Sequence, residues 1–333
     1  MTLLISVVAG IVPMVIYPLF VYWIDRYEKE PIPLLVAVFL WGFIPAAILS
    51  LISQLVLSIP FWLIDDSGML GDALASALFA PLTEEIFKGM AVALIFFLWK
   101  REFDGVFDGI IYGSLVGFGF AAVENILYFA SAGGGLGLLI AMRAFLFGLN
   151  HAFFTSLTGI GFGAARLSKS GVVRFLAPLA GLLAAIFFHS LHNSTLIFVE
   201  QAPALFCLVL ISNWGGVLGV FMTMLFSVRR EREWLVEQLR GEMDECGLPP
   251  GHYDIACSPA LRLSTRVGAL VSRGPSAWIA LSRYFHALTE LAYKKHARDR
   301  RGDEGATRDA ISGLRASALA MMPEAEALIR TRG

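Results

Sequence analysis

The chain has 333 residues, 57% of them hydrophobic and 16% charged, with a mean hydropathy of +0.69 and a formal charge of −1. Soluble domains hold about 45–50% apolar and about 25% charged residues, so this composition excludes an ordinary soluble protein and fits an integral membrane protein. The small net charge hides a segregation, because 17 of the 26 Lys and Arg residues follow residue 228, where the apolar runs stop.

A membrane-spanning helix needs about 20 apolar residues. Seven segments qualify: 2–24, 33–57, 76–98, 107–130, 138–165, 175–198 and 204–227. The first lacks a basic leader and a small-x-small cleavage site, so it reads as a retained span rather than a signal peptide. The third contains Pro81, a point where its helix is expected to break. The fifth is long enough to begin in the interface or to run tilted. Alternate loops carry the basic residues: Arg26 and Lys29, then Lys100 and Arg101, then Arg166, Lys169 and Arg174. The other connections, "DDSGMLGD", "SAGGG" and "EQAPA", carry none. The positive-inside rule therefore places the N-terminus outside and the C-terminus in the cytoplasm.

The expected fold is an all-α, polytopic transmembrane bundle over residues 1–227, followed by a cytosolic helical tail over 228–333. In the tail, Trp234, Leu235 and Leu239 recur at helical spacing among charges, "LPPGHYD" is a turn, and "SAWIALSRYFHALTELAYKKHARDR" is a second amphipathic helix. The three cysteines, Cys207, Cys246 and Cys257, have no metal-binding spacing. Nothing in the pattern calls for a nucleic-acid partner, and no internal repeat of the transporter type is evident.

Ionisable groups in the bilayer centre cost about 2.5–3.5 kcal/mol each on insertion scales, so they usually face a bundle interior. This chain places Glu84, Glu85, Lys88, Glu124, Asn125, Arg143, Asn150, His151, His189, His192 and Asn193 inside its spans. Lys88 lies one turn from either glutamate, Phe147 one turn from His151, and His189 one turn from His192 and Asn193. Glu124 continues a stripe of Gly109, Gly113 and Gly117 that lets another helix approach closely. At about 1.5 Å per residue, Glu85 and His189 fall roughly 14 Å below the outer surface, Asn193 roughly 8 Å and Glu124 roughly 9 Å. His151 joins that layer if Arg143 marks the interface. Residues from four spans thus share one layer in the outer half.

Adjacent carboxylates resist simultaneous ionisation, and Lys88 opposes that effect, which suits a base that activates water. Histidine or asparagine on a facing helix would stabilise the oxyanion of a tetrahedral intermediate. Peptide hydrolysis uses all of these roles; proton relay in an ion-coupled carrier would use the same residue types, and a non-catalytic receptor or scaffold is the remaining alternative. The H-E-x-x-H and G-x-S-x-G signatures are missing.

The linked motifs "EEIFK", "FDGIIYGSLVGFGFAAVENILYF", "FGLNHAFFTSLTGIGFG" and "HSLHN", with "DRYEKEP" in the first loop, resemble the PrsW family of intramembrane proteases. That family is related to the CAAX-processing membrane endopeptidases. The resemblance covers about residues 1–227 and maps the clan's motifs onto Glu84, Glu85 and Lys88, onto Phe147 and His151, and onto His189 and Asn193. It implies cleavage of a membrane-anchored protein, such as a single-pass anti-sigma factor, near its extracytoplasmic face in a bacterial plasma membrane.

The expected catalytic set is Glu84, Glu85, His151, His189 and Asn193, with Glu85 as base and with Lys88, Glu124, Asn125, His192 and Phe147 in support. Arg143 reads as an interfacial anchor and Thr155 as helix packing. A metal-free mechanism is favoured; if zinc were used, Glu85, His151 and His189 would hold it.

Overall fold

A computed structural model describes residues 2–25, 29–64, 69–100, 102–301 and 305–329. Five of the loop charges considered above, Arg26, Glu28, Asp65, Asp66 and Arg101, lie outside the described residues. Every regular element among the described residues is helical. The chain divides into two compact units, Met1–Ile24 with Glu30–Leu225, and Asp25–Lys29 with Phe226–Gly333.

The first unit contains α1 (Thr2–Ile24), α2 (Ile32–Trp41), α3 (Ala47–Ile64), α4 (Met69–Leu74), α5 (Ala80–Leu98), α6 (Val106–Ser131), α7 (Leu136–Ile140), α8 (Asn150–Leu167), α9 (Gly171–Ile197) and the first part of α10 (Ala204–Cys246). Wide π-helical turns join α2 to α3 at Gly42–Ala46, α4 to α5 at Ala75–Phe79, and follow α7 at Ala141–Leu146. The first contains Pro45, whose ring and missing N–H disfavour a regular α-helical turn. The second falls just before Pro81, which sits in the first turn of α5, where an N–H is unneeded. The expected break near Pro81 is therefore a widened turn on its N-terminal side.

Among the described residues, six helical stretches are long and apolar enough to cross a membrane: Thr2–Ile24, Ile32–Phe61, Val106–Ser131, Leu136–Leu167, Gly171–Ile197 and Ala204–Cys246. The helix over Ala80–Leu98 is not among them, because it carries Glu84, Glu85 and Lys88.

The fifth expected span differs from a single helix. Its chain turns at Phe147–Leu149, and α8 begins afresh at Asn150. Phe147 and His151 therefore share no continuous helical face, and the break instead puts His151 in the first turn of α8.

The centre of this unit is α6, apolar on nearly every side and buried along most of its length. Its start is fixed by Asp108, whose carboxylate accepts from the backbone N–H groups of Asp104 at 2.8 Å and Gly105 at 2.7 Å. Its glycines meet backbone directly. A Cβ at Gly109 would strike Gly159, one at Gly113 would strike Thr155, and one at Gly117 would strike the His151 carbonyl. Gly119 lies against the Phe39 carbonyl of α2 in the same way. The peripheral helices turn Leu19, Phe20, Leu183 and Phe187 outward, as a lipid-facing side requires.

The second unit folds the rest of α10 with α11 (Pro250–Cys257), α12 (Pro259–Arg273), α13 (Pro275–Arg301) and α14 (Gly305–Ile329). Leu235, Leu239, Leu281, Tyr284, Phe285 and Leu288 build its core. Beside them the buried Glu242 carboxylate accepts from Lys295 Nζ at 2.5 Å and from Arg315 at 2.7 and 2.8 Å. These two cations outweigh burial and hold the Glu242 carboxyl down at about 2.

Two outcomes follow from this packing. Gly117→Leu, pressed against immovable backbone, will lower thermal stability in detergent by about 1–3 kcal/mol or more, whereas Gly134→Ala, with open space around it, will leave stability unchanged. Glu242→Ala will destabilise the tail by about 3–5 kcal/mol, because it leaves the buried Lys295 without a carboxylate, while Arg315 keeps Glu245 at 2.9 Å. Its folded value lies below its unfolded one, so the stabilisation is present above the ordinary carboxylate range and is lost as pH falls toward about 2. Acid titration of tail unfolding, monitored by proteolysis of the 226–333 region, checks both the size and the sign.

Candidate active site

Three helices of the first unit bring their polar side chains to one place. From α5, Glu84, Glu85 and Lys88 all point inward, and Glu85 and Lys88 are fully buried. Lys88 Nζ lies 2.5 Å from Glu85 Oε1 and 3.6 Å from Glu84 Oε2, so it serves both carboxylates but unequally. Its ammonium also sits 4.3 Å from the centroid of the Phe120 ring. From α8, Thr155 donates to Glu85 Oε2 at 3.0 Å. From α9, His189 places Nδ1 2.9 Å from Glu85 Oε1, with its ring stacked on Phe154. Glu85 thus has both oxygens engaged by three different side chains.

The proton positions follow from the donor inventory. An ammonium is only a donor, so His151 Nδ1, 3.1 Å from Lys88 Nζ, must accept. The other nitrogen of His151, Nε2, then carries the hydrogen and lies 2.6 Å from Glu124 Oε2, at ion-pair distance. By the same reasoning His189 donates from Nδ1 to the Glu85 carboxylate and keeps a lone pair on Nε2. That lone pair faces Glu84 Oε2 at 3.8 Å. Glu84 Oε2 is buried and accepts no hydrogen bond, while Gln54 of α3 reaches Glu84 Oε1 at 3.4 Å. Two acceptors therefore converge on one point.

Arg143 closes the other side. Its guanidinium lies 2.9 Å from Glu124 Oε2, donates to Asn125 Oδ1 at 3.1 Å and covers the Tyr128 ring. It is thus a partner of the α6 carboxylate rather than only an interfacial anchor. The network runs Arg143–Glu124–His151–Lys88–Glu85–His189.

The other expected site residues lie apart from this centre. Asn193 donates to the Ser76 carbonyl at 2.9 Å, tying α9 to the π turn ahead of α5. His192 Nδ1 lies 2.7 Å from Asn213 Nδ2 of α10 and 3.5 Å from Asn150 Nδ2, and Phe147 packs edge-on against the His192 ring. Glu84, His151 and His189 each bring one ligand atom within 4.8 Å of the others. The sequence reading grouped Glu85 with these histidines; the carboxylate grouped with them here is Glu84, while both Glu85 oxygens have side-chain partners.

Gln54, Thr155 and Asn213 are contacts the sequence reading did not assign to the site. Gln54 had a signal, since it stands alone as an amide in the apolar run "AILSLISQLVLSI". Thr155 had one too, being a turn beyond His151 on the same helix.

The family model described as "PrsW family intramembrane metalloprotease" matches residues 30–231, more than half of the chain. Protease PrsW of Geobacillus kaustophilus is 31% identical over 246 residues, covering 73% of this chain and 95% of that protein. Protease PrsW of Bacillus subtilis is 28% identical over 228 residues, 68% of this chain and 93% of its own length. No solved structure gives a significant match. A multi-pass helical membrane protein with this family match and these relatives belongs to the PrsW family of intramembrane proteases.

Proposed function

We propose that the chain cleaves a single-pass, membrane-anchored protein of the anti-sigma-factor class near its extracytoplasmic end, by attack of a water activated at Glu84. The observation that carries this reading is the convergence of Glu84 Oε2 and His189 Nε2, two acceptors 3.8 Å apart. Such a pair suits the two hydrogens of an attacking water. Glu84 is the better base of the adjacent pair because Glu85 Oε1 and Oε2 are already taken by Lys88, His189 and Thr155. Glu85 becomes the organiser that holds Lys88 and the His189 ring in place. Lys88, desolvated and within 3.6 Å of Glu84, is the nearest cation to offset charge developing on the scissile carbonyl.

The same acceptors fit a divalent cation such as zinc. Glu84 and His189 would hold it through those atoms, and His151 would join them by giving up its Lys88 contact at Nδ1; the other ring nitrogens then lie beside Glu85 for His189 and Glu124 for His151. When bound, it would lower the pKa of a coordinated water. In either case the loop charges orient the site toward the outer half of a bacterial plasma membrane, with Ala80–Leu98 as a seventh span.

Glu84→Gln will abolish cleavage while preserving membrane insertion and thermal stability, because the Lys88–Glu85–His189 contacts remain. Comparing membrane proteomes of cells carrying wild type or Glu84→Gln will reveal a shortened single-pass protein only with wild type; identical proteomes under several stresses would remove the assignment. Metal analysis of the purified pair decides the cofactor: one equivalent present in wild type and lost in Glu84→Gln marks a metal site, and none in either marks a glutamate acting alone. Thr155→Val will lower cleavage about ten- to a hundredfold, the range for a lost hydrogen bond to a charged group, and Thr155→Ser will keep most of it.

A further inference from the structure

The family match ends at residue 231, so it gives no role to the helices that follow. Among them α12 is turned inside out. The side packed into the tail is partly polar: Arg262 is buried, donating to the Ala256 carbonyl and to Thr289 Oγ1 at 2.7 Å each, and Thr265 is buried beside it. The outward side is apolar. Leu263, Val267, Leu270 and Val271 fall at i, i+4, i+7 and i+8, on one helical face, and are 46%, 42%, 38% and 82% exposed. A solvated helix would place them the other way.

Charge identifies what covers this face. Residues 255–289 contain Arg262, Arg266, Arg273 and Arg283 but no Asp or Glu, although acidic residues are frequent on either side. Arg266 and Arg273 border the apolar stripe, and Arg266 is set against the Trp278 ring at 4.3 Å. An apolar face edged by arginine and free of acid is the pattern of a helix lying in the interface of an anionic membrane. The tail follows the last membrane-crossing helix in the chain, which tethers it to a membrane.

We propose that α12 is an interfacial helix that docks the tail on anionic lipid through Leu263, Val267, Leu270 and Val271, with Arg266 and Arg273 at the headgroups. The full chain would be reconstituted in vesicles of phosphatidylcholine alone or with phosphatidylglycerol. A photoreactive diazirine amino acid would replace Val267, Val271 or, as the control on another side of the helix, Ser272. After irradiation, mass spectrometry of the α12 peptides reads the adduct. Expected are lipid adducts at positions 267 and 271, several-fold above position 272, only when phosphatidylglycerol is present. They should fall several-fold in high salt and in an Arg266→Glu, Arg273→Glu variant. An adduct from a diazirine at Leu183, on the exposed face of α9, should not change, which separates lost docking from lost reconstitution. Adducts to a second copy of the chain, adducts equal at all three positions, or adducts independent of phosphatidylglycerol would each overturn the proposal.

Discussion

The Lys88–Glu85 pair is the constraint on which the first unit depends. Both side chains are fully buried in a helix flanked by apolar sequence. Charges in such a setting persist only when paired and hydrogen-bonded, since desolvation otherwise exceeds their mutual attraction. No single helix can complete that set. Glu85 needs Thr155 from α8 and His189 from α9, and Lys88 needs His151 from α8 as its further acceptor. The cost of leaving any of them unmade in a medium without water dictates which faces of α5, α8 and α9 meet.

Close approach is what makes this convergence geometrically feasible. Helices in lipid gain little from apolar attraction alone, so contact must come from small residues that let backbones touch. The α6–α8 seam does this with Gly109 against Gly159, Gly113 against Thr155 and Gly117 against His151. Two of the α8 residues at that seam, Thr155 and His151, also turn side chains to the charged centre. The seam therefore sets the position of two site residues as well as the packing of the bundle. Glu124, one helical repeat beyond Gly117, reaches the same His151 from the α6 side and holds its tautomer.

Much of this was legible from residue type and period. Apolar runs located the helices, the glycine stripe located the seam, and charged residues inside spans located the centre on α5, α6, α8 and α9. What sequence spacing could not supply is how hydrogen bonds divide among competing neighbours. It ranked Glu85 ahead of Glu84, and the contacts that distinguish the two come from Lys88 on their own helix and from Thr155 and His189 on two others. It joined Phe147 to His151 by helical period, but the chain turns between them at Gly148, and period has no meaning across a break. It grouped Asn193 with His189 by the same rule. One turn of separation suffices there for Asn193 to bind the Ser76 carbonyl, at the widened turn where a backbone acceptor is exposed.

Such widened turns have a consequence for the site. A π turn re-registers a helix, so residues on either side no longer share the face that a regular helix would give them. The turn at Ala75–Phe79 stands one turn ahead of Glu84 and Glu85, and the one at Ala141–Leu146 precedes the break before His151. Arg143 lies within the latter and so reaches Glu124 and Asn125 on α6. Two of the three π turns among the described residues thus adjoin the charged centre, and the third, at Gly42–Ala46, seats α2 against α6. These π turns fall where a side chain is aimed or a backbone brought close. In a bundle that otherwise follows apolar periodicity, that is where the demands of the buried charges outweigh those of regular helical hydrogen bonding.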